Sequence, residues 1–202
     1  MKKSSMALGV VALTLAAAMI PGNARAQTLA DTIATCAGCH GEAGVPMDKT
    51  IPVIAGQHFS YLLNQLQDFK TGRRKSDIMS GMVETLSKQD MEALATHYSK
   101  MPWPDLKNPA PPAEEANVAI NTLDVYNCDG CHQKNFQGDT IRPRLSGQND
   151  DYLLQTMKDF RDHARGNYIV MSALLRSITD DQLKAVAAYL SSKSLPPPTA
   201  QK

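Results

Sequence analysis

Cysteine and histidine fall together twice in this 202-residue chain: CAGCH runs from Cys36 to His40, and CDGCH from Cys128 to His132. These two strings hold all four cysteines. A dithiol redox pair of the thioredoxin kind needs a βαβ surround and gives the histidine nothing to do. Structural disulfides suit an exported chain but leave both histidines without a role. Zinc needs the two pairs brought together, although they lie 92 residues apart. Covalent attachment of haem c uses every residue of the motif. Two cysteines three apart sit about one helical turn from each other, so their sulfurs can bond both vinyl groups along one side of the macrocycle. The adjoining histidine then falls beneath the iron. Cys36, Cys39, Cys128 and Cys131 are therefore the expected attachment points of two haem groups. His40 and His132 are the expected proximal iron ligands, each with its second ring nitrogen free to donate to a backbone carbonyl.

The motifs belong to a longer repeat. IPVIAGQ at Ile51–Gln57 answers to RPRLSGQ at Arg142–Gln148, YLLNQLQDF at Tyr61–Phe69 to YLLQTMKDF at Tyr152–Phe160, and IMSGMVETLS at Ile78–Ser87 to VMSALLRSIT at Val170–Thr179. The offset is 92 at the cysteines, 91 through the middle strings and 92 again at the last, so the chain is a tandem duplication of a unit of about 80 residues. The repeat also selects a sixth iron ligand. An electron-carrying haem commonly takes a methionine there, which raises its potential. Of ten methionines only Met79 and Met171 match each other, and each lies 39 residues beyond its histidine. Met82 faces Leu174 in the repeat, Met91 faces Leu183, and Met47 stands opposite a loop near Phe136 and Gln137.

The elements that must position these residues read as helices. Leu62, Leu63, Leu66 and Phe69 form one helical stripe. The last helix of each unit starts at Ser87, with Asp90 three residues on, or at Thr179, with Gln182 three residues on, the second a capping-box pattern. No alternating strand pattern of useful length occurs, so the fold class is all-α. Units of this size usually need a staple or cofactor for stability. Between the copies, MPWPDLKNPAPP at Met101–Pro112 has five prolines in twelve residues and reads as a semi-rigid linker. The expected domains are 27–104 and 114–195, with the linker at 105–113 and a disordered tail at 196–202. Residues 1–26 read as a secretory signal peptide. Lys2-Lys3 precedes an uncharged run of 15 residues, Met6–Ile20, shorter than the roughly 20 of a spanning helix, and Ala24-Arg25-Ala26 offers cleavage after Ala26. Without Lys2, Lys3 and Arg25 the chain has 18 basic and 20 acidic side chains, which excludes a nucleic-acid partner on charge. His97, His58 and His163 are expected to be structural or solvent-facing. Arg73, Arg74 and Lys75, with Arg165 opposite, read as a solvated charged loop, with haem propionates or an acidic partner surface as the alternative.

With these motifs in place, the chain resembles the cytochrome c4 family, dihaem proteins built of two class I cytochrome c domains in tandem, from the first haem motif through the last helix. Class I domains carry a Pro-x-Leu-x-Gly element whose proline carbonyl accepts the histidine ring N–H. PVIAG at Pro52 and PRLSG at Pro143 stand in its place, so the resemblance gives Pro52 and Pro143 that role. The chain departs from the family pattern in the first unit, where only nine residues separate the expected cleavage site from Cys36, so the opening helix there must be short. The function implied is electron transport in the periplasm, not enzyme catalysis, with redox protein partners such as a membrane cytochrome complex, a terminal oxidase or a dehydrogenase, and peripheral association with the membrane among the expectations. Two alternatives are a catalytic dihaem protein such as a peroxidase, which needs an open iron position, and the dihaem subunit of a periplasmic dehydrogenase such as flavocytochrome c sulfide dehydrogenase.

Overall fold

A computed structural model describes residues 28–195, so the proposed signal peptide and the tail from 196 lie outside the described residues. The first half runs α1 (Leu29–His40), α2 (Phe59–Lys70), α3 (Asp77–Val83) and α4 (Lys88–Ser99). The second runs α5 (Ala113–Val125), α6 (Cys128–His132), a 3-10 turn (Lys134–Phe136), α7 (Asp150–Arg161), α8 (Ile169–Leu175) and α9 (Asp180–Ser191). No strand occurs among the described residues. The helices repeat in the register of the sequence: α2 and α7 are 91 residues apart, α3 and α8 92, and α4 and α9 92.

Local chemistry sets the boundaries. Both closing helices start in full capping boxes, Ser87 with Asp90 and Thr179 with Gln182, and α1 has a third, Thr28 with Asp31. Each box satisfies backbone N–H groups that a helix start leaves without partners. The haem motif closes α1 as one continuous helix, and the stretch before Cys36 is short, as expected. In the second half Asn127, in left-handed conformation (φ 50°), breaks the chain between the longer α5 and the motif helix α6. Both motif helices end at a residue with positive φ: Gly41 at 78° and Gln133 at 66°.

Each half closes on its own core. In the first, Leu62 and Phe69 of α2 meet Val83 and Leu86 and the α4 residues Met91, Leu94, Ala95 and Tyr98. In the second, Leu153 of α7 and Val186, Ala187 and Leu190 of α9 lie in one cluster, and Phe160 of α7, Leu175 of α8, Leu183 of α9 and the loop residue Ile178 in another; Leu154 and Met157 touch both. The proline-rich segment has no helix from residue 102 to 112, but it is not a free tether. Trp103 Nε1 donates to Ser146 O at 3.0 Å, and Asn108 Nδ2 donates to Ser191 Oγ at 2.7 Å. Gly56, at φ 64°, lets this segment pass: a Cβ there would lie 2.5 Å from the Trp103 nitrogen.

Candidate haem-binding sites

All four cysteines are free, so the disulfide reading finds no support. Cys36 and Cys128 are half-buried, each at the edge of its own half's core, whereas Cys39 and Cys131 face outward. Burial raises the Cys36 thiol above its ordinary value and pushes Cys128 up to about 11. A reactive dithiol needs the opposite shift, because thiolate is its nucleophile. Among the described residues no three His, Cys, Asp or Glu side chains converge as a zinc site requires.

Each motif histidine is 8% exposed and held from one side. His40 Nδ1 lies 3.0 Å from Pro52 O, and His132 Nδ1 lies 3.3 Å from Pro143 O. A carbonyl only accepts, so Nδ1 carries the proton and Nε2 keeps its lone pair. Burial lowers both imidazoles from the ordinary histidine value, against the raising effect of the carbonyls. The rings are therefore neutral, oriented and able to ligate through Nε2.

Met79 is half-buried on α3 and packs on the same core as Cys36. Met171, half-buried on α8, packs on the cluster that Leu154 and Met157 join to that of Cys128. The rival methionines sit differently: Met82 is 49% exposed, Met47 is wholly exposed, and Met91 is buried in the core. The residues present fit two covalent haems, with attachment sulfurs on one helical turn, a held neutral histidine and a core-edge methionine in each half. A cavity of about 420 Å³ borders α3 beside Met79, lined by Phe69, Lys70, Ser80, Gly81 and Glu84. Neither cysteine nor histidine lines it, so it is not the envelope of a porphyrin.

The charged loop is a correction. Arg73 is exposed and pairs with Asp68 at 2.7 Å, but Arg165 is buried and Arg74 half-buried, and neither is a solvated loop residue. They cross between the halves. Arg165 donates to Gln65 Oε1 at 2.7 Å and to Tyr61 OH at 3.4 Å; Arg74 donates to the same Gln65 oxygen at 2.9 Å and to Tyr152 OH at 3.1 Å. Each guanidinium stacks on its own half's phenylalanine, Arg74 4.6 Å from the Phe69 centroid and Arg165 4.4 Å from that of Phe160. Burial would raise the Tyr152 phenol, yet Arg74 and Arg165 outweigh it and lower its pKa; at Tyr61 burial dominates and raises it. Two further residues that sequence reasoning left without a role, Gln57 and Gln148, lie in the same interface, each 3% exposed. Of the other histidines, His58 precedes α2 and reaches Gln137 O of the second half at 3.0 Å, and His97 packs edge-on against Tyr98.

Comparison with known proteins points the same way. A family model, Cytochrome c, matches residues 23–106 and again 118–194. Cytochrome c4 of Azotobacter vinelandii is 32% identical over 176 residues, covering 78% of this chain and 83% of that protein. The thiosulfate dehydrogenase electron acceptor of Thiomonas intermedia is 33% identical over 175 residues, 81% of each protein. The crystal structure of reduced recombinant cytochrome c4 from Pseudomonas stutzeri superposes with a TM-score of 0.71 at 28% identity, covering 84% of this chain and 100% of that one.

Proposed function

The chain belongs to the cytochrome c4 family of dihaem electron-transfer cytochromes, and on that premise we propose that it is a periplasmic one-electron carrier between respiratory redox partners, without catalytic activity of its own. Cys36 and Cys39 hold the first haem, with His40 and Met79 on its iron. Cys128 and Cys131 hold the second, with His132 and Met171. The observation that carries this assignment is the recurrence, in both halves, of a buried histidine held at Nδ1 by a proline carbonyl together with a half-buried methionine at the edge of the core. When bound, each haem supplies a reversible one-electron couple. Pro52 and Pro143 fix the histidine rings, and the edges of the two cores carry the methionines. With a histidine and a methionine of this chain assigned to each haem, the protein's own side chains would supply its ligands, and the group would serve electron exchange rather than substrate binding. Residues 1–26 serve as the export signal, cleaved after Ala26, 105–113 as the linker, and 27–104 and 114–195 as the two haem domains; the start of α5 at Ala113, where the proline run ends, supports the second boundary. No helix among the described residues is long and apolar enough to cross a membrane.

A dehydrogenase as electron donor is favoured by the likeness to the Thiomonas protein, named as the electron acceptor of a thiosulfate dehydrogenase. The same likeness favours a sulfur-compound oxidation system over an unspecified respiratory donor. It leaves open two forms of association, a free carrier and a bound dihaem subunit, and co-purification of the native protein separates them. Denaturing mass spectrometry tests the site: the mature chain is expected to carry the mass of two haems, and a bare-chain mass overturns the reading. Carbon monoxide tests the closed irons. The reduced protein is expected to bind it little and slowly, and rapid stoichiometric binding would replace the carrier with a catalyst.

A further inference from the structure

Gln57 and Gln148 close the two halves in a crossed pair. Gln148 Oε1 accepts from Val53 N–H at 2.8 Å, and its Nε2 donates to Val53 O at 2.9 Å. Gln57 Oε1 accepts from Arg144 N–H at 2.9 Å, and its Nε2 donates to Arg144 O at 3.1 Å. Each amide oxygen also accepts the next N–H of its own half, from His58 at 3.0 Å or Asn149 at 2.9 Å. Two N–H donors converging on one atom fix which end of the amide is oxygen.

The position of these bonds matters more than their number. Val53 N–H belongs to the same peptide group as Pro52 C=O, the acceptor of His40 Nδ1–H. Arg144 N–H belongs to the same peptide group as Pro143 C=O, the acceptor of His132 Nδ1–H. A continuous chain thus runs from each histidine, through one peptide, to a buried glutamine of the opposite half. A peptide that donates through its N–H carries more negative charge on its oxygen, and hydrogen bonds in such chains strengthen one another by about 10–30% per bond. The stronger carbonyl draws the Nδ1 proton, makes the imidazole a more basic ligand and favours ferric over ferrous iron.

We propose that Gln57 and Gln148 are positioning residues for electron transfer, each setting the potential of the haem in the other half by polarising the peptide that holds its histidine. The proposal rests on the dihaem reading above. Its test uses the full dihaem protein with Gln148→Met and Gln57→Met, which keep side-chain length but remove the amide. A redox titration followed by NMR reads each haem separately through its own hyperfine-shifted resonances. Gln148→Met is expected to raise the potential of the haem on Cys36 and Cys39, and Gln57→Met that of the haem on Cys128 and Cys131. The equilibrium constant for electron exchange between the haems then moves in opposite directions in the two variants, by about three- to tenfold, tenfold being 59 mV for one electron. Gln148→Glu, a stronger acceptor, is expected to shift the first haem the other way. A strut without electronic effect would move both haems alike, or neither, or the haem of the mutated half, and any of these overturns the proposal. Should the methionine variants not fold, amide exchange in the unmodified protein decides: Val53 and Arg144 N–H are expected to exchange only on global opening, and exchange at the rate of open amides overturns it. A wild-type chain without two one-electron steps would overturn the dihaem reading and this proposal together, whereas unshifted potentials in a chain that has both steps overturn this proposal alone.

Discussion

Replacing Arg165 by methionine should loosen the contact between the halves more than any change to its partner Arg74. The Arg165 side chain is 4% exposed. It bonds Gln65 Oε1 at 2.7 Å, Asn167 Oδ1 at 3.0 Å and Tyr61 OH at 3.4 Å, over the Phe160 ring. Hydrogen bonds to a charged group contribute about 1.5–3 kcal/mol each, and a buried cation–π contact about 1–2 kcal/mol. Relief of the guanidinium's desolvation, several kcal/mol, offsets much of that sum. The substitution leaves Tyr61 and Asn167 short of a donor, while Gln65 keeps Arg74, so the net loss is about 3 kcal/mol. Arg74 is half-buried, and its replacement by methionine should cost about half as much. Urea unfolding of the dihaem protein, followed by far-ultraviolet circular dichroism and by haem absorption, measures both losses. For a chain of this length about 3 kcal/mol lowers the melting temperature by roughly 6–12 °C. A loss below about 1 kcal/mol for Arg165→Met, or a larger loss for Arg74→Met, would refute the claim that a buried guanidinium holds the interface.

Met79→Ala should change the ferric spin state and ligand-field bands of the first haem, while Met82→Ala, at an exposed position, leaves them alone; absorption spectra of the two variants decide. Gln133 holds φ 66° and ψ 165°, a region only glycine enters freely, so Gln133→Gly should stabilise the second half by about 1–2 kcal/mol in urea unfolding. Hydrogen bonds from Thr28 and Ser87 hold the Asp31 and Asp90 carboxyls below their ordinary values. Their contribution is therefore complete above the unfolded carboxylate value of about 4 and is lost as pH falls through the lower folded one. The melting-temperature gap between wild type and Ser87→Ala should accordingly narrow between pH 7 and pH 3.

The legible features of this chain were those written in short-range spacing. The cysteine–histidine strings and the capping boxes at Ser87 and Thr179 depend on neighbours within one helix, and the helices stand where the repeat register puts them. The interface was not legible, because its residues look like surface. Gln65 and Asp68 lie on the polar side of the α2 stripe yet are buried, and Arg74 and Arg165 sit in loops that composition alone assigns to solvent. A usable signal was present: Gln57, Tyr61, Phe69 and Arg74 are identical to Gln148, Tyr152, Phe160 and Arg165. Solvent-facing positions have no physical reason to repeat a polar side chain, whereas a contact made twice does.

That crossed contact has the form of an isologous dimer interface, in which residue i of one copy meets residue j of the other and j meets i. Arg165 on Tyr61 mirrors Arg74 on Tyr152, and Gln148 on Val53 mirrors Gln57 on Arg144. Joined through Met101–Pro112, the two surfaces meet at an effective concentration set by the tether, on the order of millimolar for a short linker, however dilute the protein becomes. A separate pair of such units would dissociate on dilution. The fused pair keeps its irons in one stoichiometry and one mutual geometry at any abundance, and the linker is what converts a concentration-dependent assembly into a property of the single molecule.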